Sequence, residues 1–332
     1  MNLKTIAELS GVSTATVSNV INGNYNKVSE ETRQRVEEII RQTDYKPAGG
    51  PRRKAGIRNI GLIVPHVSRE TGFMINHYGT YALAALEDLA DNNNARIMVL
   101  SGKPLTQVTE MISDGILDGA LVMGAFEGDA TQFQKTVHIP VVYIDTYTND
   151  PHIVTVNVDD YRGGYLMARY LIARGHRKIA MASPDYREGV IHERYCGFCD
   201  ACQESDVSFA ETDIFMTDTK YRNGVNVGQD IALSGKGYTA IASMSDDMAF
   251  WMAAGIRQCG IHVPDDLSII GFDGIPEGEC FLYRLTSVEQ NITRKINVAG
   301  EYLLRMMDGD PVVAHDVLPV QIKEGDTVKI LS

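Results

Sequence analysis

The chain has 332 residues, 44% of them hydrophobic and 22% charged, a globular balance with apolar material for two or three domains. No apolar run approaches the roughly 18 residues of a membrane span, and the opening MNLKTIAELSGVS lacks an apolar stretch with a cleavage site, so a cytoplasmic protein without membrane contact is expected. Five cysteines, an odd number, argue against a disulfide framework. The net charge of -12 is uneven: residues 1–60 hold ten Lys/Arg against six Asp/Glu, the remainder 21 against 37. A basic head on an acidic body suits contact between the head and a polyanion, although a solvated basic helix face would show the same balance.

From the N-terminus, Thr5 to Gly23 has a helix–turn–helix layout. Ile6 and Leu9 are apolar at i, i+3, Gly11 permits a tight turn, and Ser13 is an N-cap for a second helix whose inner face is Val17, Val20 and Ile21. Thr14, Ala15, Ser18, Asn19 and Asn22 then point outward. Short polar side chains without Glu/Lys pairs suit a helix pressed into a DNA major groove. Ser29 caps a third helix over 30–42, with Val36, Ile39 and Ile40 inward.

A Pro/Gly-rich and then basic stretch, Lys46 to Lys54, reads as a linker. Past it, apolar β-branched runs at 60–64, 97–100, 120–123, 141–144, 179–182, 240–242 and 267–272 alternate with helical stretches at 81–92, 161–174, 193–203, 247–259 and 292–307. This alternation predicts parallel sheets covered by helices on both faces, in two lobes.

The motifs in this order resemble the lac-repressor (LacI/GalR) family of bacterial transcription regulators. The resemblance starts in Ala7, Gly11-Val12-Ser13, Thr16-Val17-Ser18 and Tyr45-Lys46-Pro47, and continues through Ile60-Gly61-Leu62-Ile63-Val64-Pro65 and Pro140 to Asp145. Gly175-His176-Arg177-Lys178-Ile179, Arg194-Tyr195-Cys196-Gly197-Phe198, Asp246-Asp247-Met248-Ala249 and Gly271-Phe272-Asp273 extend it through the core. It implies an all-α helix-turn-helix head at 1–46, a hinge at 47–58, and a periplasmic-binding-protein-like α/β core of two doubly wound parallel-sheet lobes at 59–332. The first lobe is expected at about 59–158 plus 287–316, and the second at about 159–286 plus 317–332.

The same resemblance implies a homodimeric repressor on a near-palindromic double-stranded DNA operator, controlled by a small effector between the lobes. Thr14, Ala15 and Asn19 take the base-reading positions, with Ser18, Asn22, Lys27 and Thr32 as phosphate or groove-edge contacts and Lys4 and Thr16 completing the DNA-facing set. Relatives often carry Arg at the position of Asn19, so Asn here predicts a preference for adenine over guanine. The hinge departs from the family, because Ala48 to Lys54 lacks the leucine that wedges into the minor groove and Gly49-Gly50-Pro51 is a poor helix start. Arg52 and Arg53 are the hinge residues expected to reach DNA.

In the cleft, Asp145, Arg194 and Asp273 match family effector positions, and carboxylates with a guanidinium suit the hydroxyls of a sugar-like ligand. The lesser alternative for Arg194 is an ion pair with a nearby acid that merely holds the lobe together. Ser245 stands where relatives often have Asn, and Tyr78 matches a stacking aromatic after a loop, His66 to His77, that is longer than usual. A purine-like effector, a protein corepressor, an activator's output and, distantly, an exported solute receptor are the alternatives. Cys196, Cys199 and Cys202 have metal-like spacing but lack a fourth ligand, so inert thiols and no metal are expected. Gly163-Gly164 is not a phosphate loop, and no nucleophile–base set is present, so neither an enzyme nor a cofactor is expected.

Overall fold

The computed structural model describes residues 3–21, 28–43, 57–65, 76–185, 187–279 and 284–331. The chain divides into two compact units, one ending at Ile57 and one beginning at Arg58.

The first unit holds α1 (Leu3–Ser10), α2 (Thr14–Ile21) and α3 (Glu30–Thr43). Its small core is Ile6, Ala7, Val17, Val20 and Val36, with Ile39 and Ile40 packed against it. The turn between α1 and α2 uses Gly11 at φ 66, where an L side chain would be strained. Ser13 accepts a hydrogen bond from the Thr16 amide at 3.0 Å and Ser29 one from the Thr32 amide at 3.3 Å, so each caps the start of its helix. Leu9 departs from expectation: it is 53% exposed, because α1 turns Ile6, Ala7 and Ser10 inward instead.

The second unit runs β1 (Arg58–Val64), α4 (His77–Asn92), β2 (Ala95–Ser101), α5 (Leu105–Ser113), β3 (Gly119–Met123), α6 (Glu127–Thr136), β4 (Val141–Ile144) and β5 (Val154–Val158). It continues through α7 (Asp160–Ala173), β6 (Ile179–Ser183), α8 (Gly189–Glu204), β7 (Ile214–Met216), α9 (Tyr221–Leu233), β8 (Ala240–Ser243), α10 (Asp246–Gln258) and β9 (Ser268–Asp273). Last come β10 (Thr286–Glu289), α11 (Ile292–Met307), β11 (His315–Leu318) and β12 (Gln321–Lys323). Two six-stranded sheets result, in the orders β11-β5-β4-β3-β1-β2 and β12-β10-β9-β8-β6-β7. The first is parallel throughout, while in the second β12 alone runs antiparallel, against β10. Strands such as β3, β4 and β9 are buried along their whole length, which is why they read as unbroken apolar runs.

The chain passes between the sheets after β5, after β10 and after β11. The expected lobe limits at 286/287 and 316/317 therefore shift. Thr286–Glu289 pairs in parallel with β9 and belongs to the second lobe, while β11 extends to Leu318 and pairs with β5 in the first. The passages are tied together, the Asp159 amide donating to the Leu318 carbonyl at 2.9 Å.

Candidate functional site: the face of α2 and the cleft between the core lobes

On the helical head, Thr14 and Ala15 are exposed on α2, and Thr16, Ser18 and Asn19 are half-buried. Lys4 is exposed on α1 and Thr32 half-buried on α3. Two of the expected DNA-facing hydroxyls have local work: Thr16 shares a hydrogen bond with Ser13 at 2.9 Å, and Thr32 accepts one from Ser29 at 2.8 Å. Asn22, Lys27, Arg52, Arg53, the segment 66–75 and Cys280 lie outside the described residues.

In the core, Asp145 follows β4 and Asp273 ends β9, both at the carboxyl ends of strands where open α/β sheets place ligands. Both sit at positive φ, 54° and 127°, which non-glycine residues adopt at a cost and which clusters at functional sites. A chain of hydrogen bonds joins them across the lobes. Tyr78 on α4 donates to Asp145 Oδ2 at 2.5 Å, and Lys295 Nζ on α11 donates to Asp145 Oδ1 at 2.6 Å and to Gln290 Oε1 at 2.8 Å. Gln290 Nε2 in turn donates to Asp273 Oδ1 at 2.7 Å. Burial pushes the Asp273 carboxyl up to about 8 against the opposing charge of Arg194, and pushes the Tyr78 hydroxyl well above its usual range. A cavity of about 690 Å³ opens beside Asp273 and Gln290, walled by the first turn of α11, the β11–β12 passage and Tyr81.

Arg194 takes another position. Its Nε donates to Asp160 Oδ1 at 2.7 Å, its Nη1 to the Met244 carbonyl at 2.8 Å, and its guanidinium lies 3.5 Å from the centre of the Phe272 ring. Asp160 is fully buried, and burial raises its carboxyl while Arg194 opposes the rise. Tyr147 donates to its other oxygen at 2.9 Å. The ion-pair alternative for Arg194 is thus the arrangement seen, next to the Asp145–Asp273 chain rather than in it.

Ser245 is the N-cap of α10, its hydroxyl oxygen accepting from the Met248 amide at 3.3 Å. Asp246 is structural: it accepts from Ser287 Oγ at 2.6 Å and from the Ile275 amide at 3.0 Å, and burial pushes its carboxyl up to about 6. Asp247 instead reaches the first lobe, accepting from the His77 amide at 3.1 Å and lying 2.5 Å from His77 Nδ1. Tyr81 adds a second tie between lobes by donating to Glu277 at 3.0 Å.

Cys196, Cys199 and Cys202 share α8, and burial pushes the Cys202 thiol up to about 12, away from the thiolate a metal would need. Among the described residues no group of three or more His, Cys, Asp or Glu is arranged to hold a metal ion.

Lys295, Gln290, Asp160 and His77 were not foreseen from sequence. A signal for Lys295 existed: Ile292, Lys295, Ile296, Ala299, Gly300 and Leu303 form the buried stripe of α11, so the lysine occupies a position the helical period assigns to the core.

Comparison with known proteins gives concordant matches. Residues 2–48 match the family "Bacterial regulatory proteins, lacI family", and residues 168–328 match "Periplasmic binding protein-like domain". An HTH-type transcriptional repressor, PurR, of Vibrio cholerae serotype O1 (strain M66-2) is 29% identical over 99% of this chain and 98% of its own. The fold is shared with a transcriptional regulator CelR–cellobiose complex (TM-score 0.73, 22% identity, 98% of this chain and 99% of that one). It is shared as well with the lac repressor dimer bound to operator and the anti-inducer ONPF (TM-score 0.72, 20% identity, 99% of both chains).

Proposed function

Because the chain belongs to the lacI family of bacterial regulatory proteins, we propose that it is a sequence-specific DNA-binding transcriptional repressor whose operator affinity is set by a small sugar-like effector in the cleft between its lobes. The observation that carries the reading is the hydrogen-bonded chain from Asp145 on one lobe to Asp273 on the other. A polyhydroxyl ligand there would touch both lobes at once and favour one relative orientation, and its differential affinity for the two orientations is the energy available to alter DNA binding. Tyr78, Asp145, Ser245 and Asp273 are the contacts proposed. Arg194 acts through Asp160 and becomes a direct contact if a ligand draws it away. Support for the ligand class comes from the related fold solved with cellobiose, and the relative named a repressor supports the direction of control.

DNA recognition is assigned to the α2 face, with Thr14, Ala15 and Asn19 reading bases and Lys4, Thr16, Ser18, Asn22, Lys27, Thr32, Arg52 and Arg53 beside them. A homodimer on a near-palindromic site follows from the related dimer solved on operator DNA. The protein works where the chromosome is, in the cytoplasm, and has no catalytic role.

The test joins selection of binding sites from random duplex DNA with a thermal-shift screen of sugars, sugar phosphates, sugar acids and purines. An enriched near-palindrome, and a sugar hit that changes affinity for it by about 5-fold or more and vanishes in Asp273→Ala, are expected. No enrichment overturns the DNA reading, and a hit confined to purines overturns the sugar reading.

A further inference from the structure

Lys295 is fully buried, and its ammonium has three partners of the kind a primary amine ligand would need. Asp145 Oδ1 accepts from it at 2.6 Å, Gln290 Oε1 at 2.8 Å, and the Tyr78 ring centre lies 5.0 Å away. The partners come from different parts of the core: Asp145 and Tyr78 from the first lobe, Gln290 from the passage after β10 and bonded onward to Asp273 of the second. Every polar atom of this set is occupied, since Asp145 Oδ2 takes the Tyr78 hydroxyl and Gln290 Nε2 goes to Asp273. The lysine stem runs in the buried stripe of α11, which packs on α4 and on β3, β4 and β5 of the first lobe.

We propose that the cleft contains a primary-ammonium site whose occupant is Lys295 of the same chain, an internal ligand that bridges Asp145 and Gln290 and holds the lobes together without a small molecule. A buried cation set there for packing alone would be a poor choice, because an aliphatic side chain of similar volume fills the stripe without desolvating a charge. What the ammonium adds is a link between the lobes. An external effector entering between Asp145 and Gln290 has to displace this ammonium, so Lys295 sets the threshold that any effector must exceed. This role presupposes that the cleft is the regulatory site.

The test uses the full chain and two variants. Lys295→Ala leaves the acceptors in place with a space of propylammonium size, and Lys295→Met fills the space without the charge. Propylammonium chloride is titrated against each, with sodium chloride at equal ionic strength as control, and melting temperature and small-angle scattering are read. In Lys295→Ala the amine is expected to raise the melting temperature by about 5 °C at saturation and to return the radius of gyration to the wild-type value. Wild type and Lys295→Met are expected to show no response beyond that to salt, and Lys295→Met to be the more expanded of those two. Absence of an amine-specific response in folded Lys295→Ala overturns the proposal. So does Lys295→Met with wild-type dimensions, a measurement that stands even where the alanine variant fails to fold. None of these readouts involves DNA or a sugar, so their failure is distinguishable from failure of the repressor reading, which the binding-site selection tests.

Discussion

Replacing Gly164 by alanine sets two effects of opposite sign against each other. Gly164 lies inside α7, where alanine is the better helix former by about 1 kcal/mol, so local propensity alone raises stability. The packing says otherwise. A Cβ at Gly164 would stand 1.8 Å from the Arg194 carbonyl oxygen of α8, and the reciprocal Cβ at Gly197 would stand 1.9 Å from the Tyr161 carbonyl oxygen. The obstructing atoms are helical backbone, which has no rotamer to yield, so the two helices must part by more than an ångström. Overpacking of this kind costs about 1–3 kcal/mol, and the parted helices lose contacts along their length. The net expectation is a loss of about 2 kcal/mol or more, which lowers the melting temperature by roughly 4–8 °C in a domain of this size. The parting has a local consequence too, because the Arg194–Asp160 pair is made between these two helices. Trp251, the sole tryptophan, sits on α10 in the same lobe, and its fluorescence reports the melt. Gly128→Ala is the control, as a Cβ there meets nothing within 4 Å, and it should leave stability unchanged or improved. A Gly164→Ala protein melting at or above wild type would refute the close-packing argument.

Three further outcomes are expected. Asp273, pushed up to about 8 by burial, binds its proton more tightly folded than unfolded, so its cost is absent at low pH and grows as pH rises from about 4 through 8. Asp273→Asn should therefore gain stability over wild type between pH 5.5 and 8.5, by up to roughly 3 kcal/mol, and a pH-independent difference would contradict this. His176 is buried against Thr239 and the Lys329 carbonyl, and burial lowers its proton affinity. The unfolded state then binds more protons, so this contribution to stability falls as pH drops through 6.5 and below, and His176→Gln should flatten the melting curve against pH between 7.5 and 5.5; parallel profiles would exclude His176 as the source. Asn19→Arg should move the selected operator toward guanine at one position per half-site, and an unchanged operator would remove Asn19 from the base-reading set.

The parts of the fold that were legible in sequence are those in which side chains obey one environment. The strands β1, β3, β4 and β9, buried on both faces, read as apolar runs, and α11 read as a helix with its observed limits. Strand β5 escaped because Thr155 and Asn157 are polar yet buried, Asn157 being satisfied by the Thr146 amide and carbonyl at 2.9 Å each. The helix α9 was not anticipated, and its Gly224 and Gly228 let it lie against Trp251 and Met252 of α10. Short edge strands β7, β11 and β12 carry too few residues for a period to show. In the site, the carboxylates were legible through the family resemblance. Their partners Gln290 and Lys295 were not: the helical period of α11 places Lys295 in its buried stripe, but only the fold brings Asp145 and Gln290 to its ammonium.

The three passages between lobes bear on how the protein is made as well as on how it moves. Each sheet receives one strand from beyond residue 314, β11 beside β5 and β12 beside β10, and those additions come after every other strand has been synthesised. A nascent chain emerging at about 5–20 residues per second therefore carries β5 and β10, which are interior in the finished sheets, as edge strands until β11 and β12 have left the ribosome. The lobes cannot be finished in turn, first one and then the other. They reach completion together, and during elongation β5 and β10 are open to pairing with a neighbouring nascent chain on the side that β11 and β12 later cover.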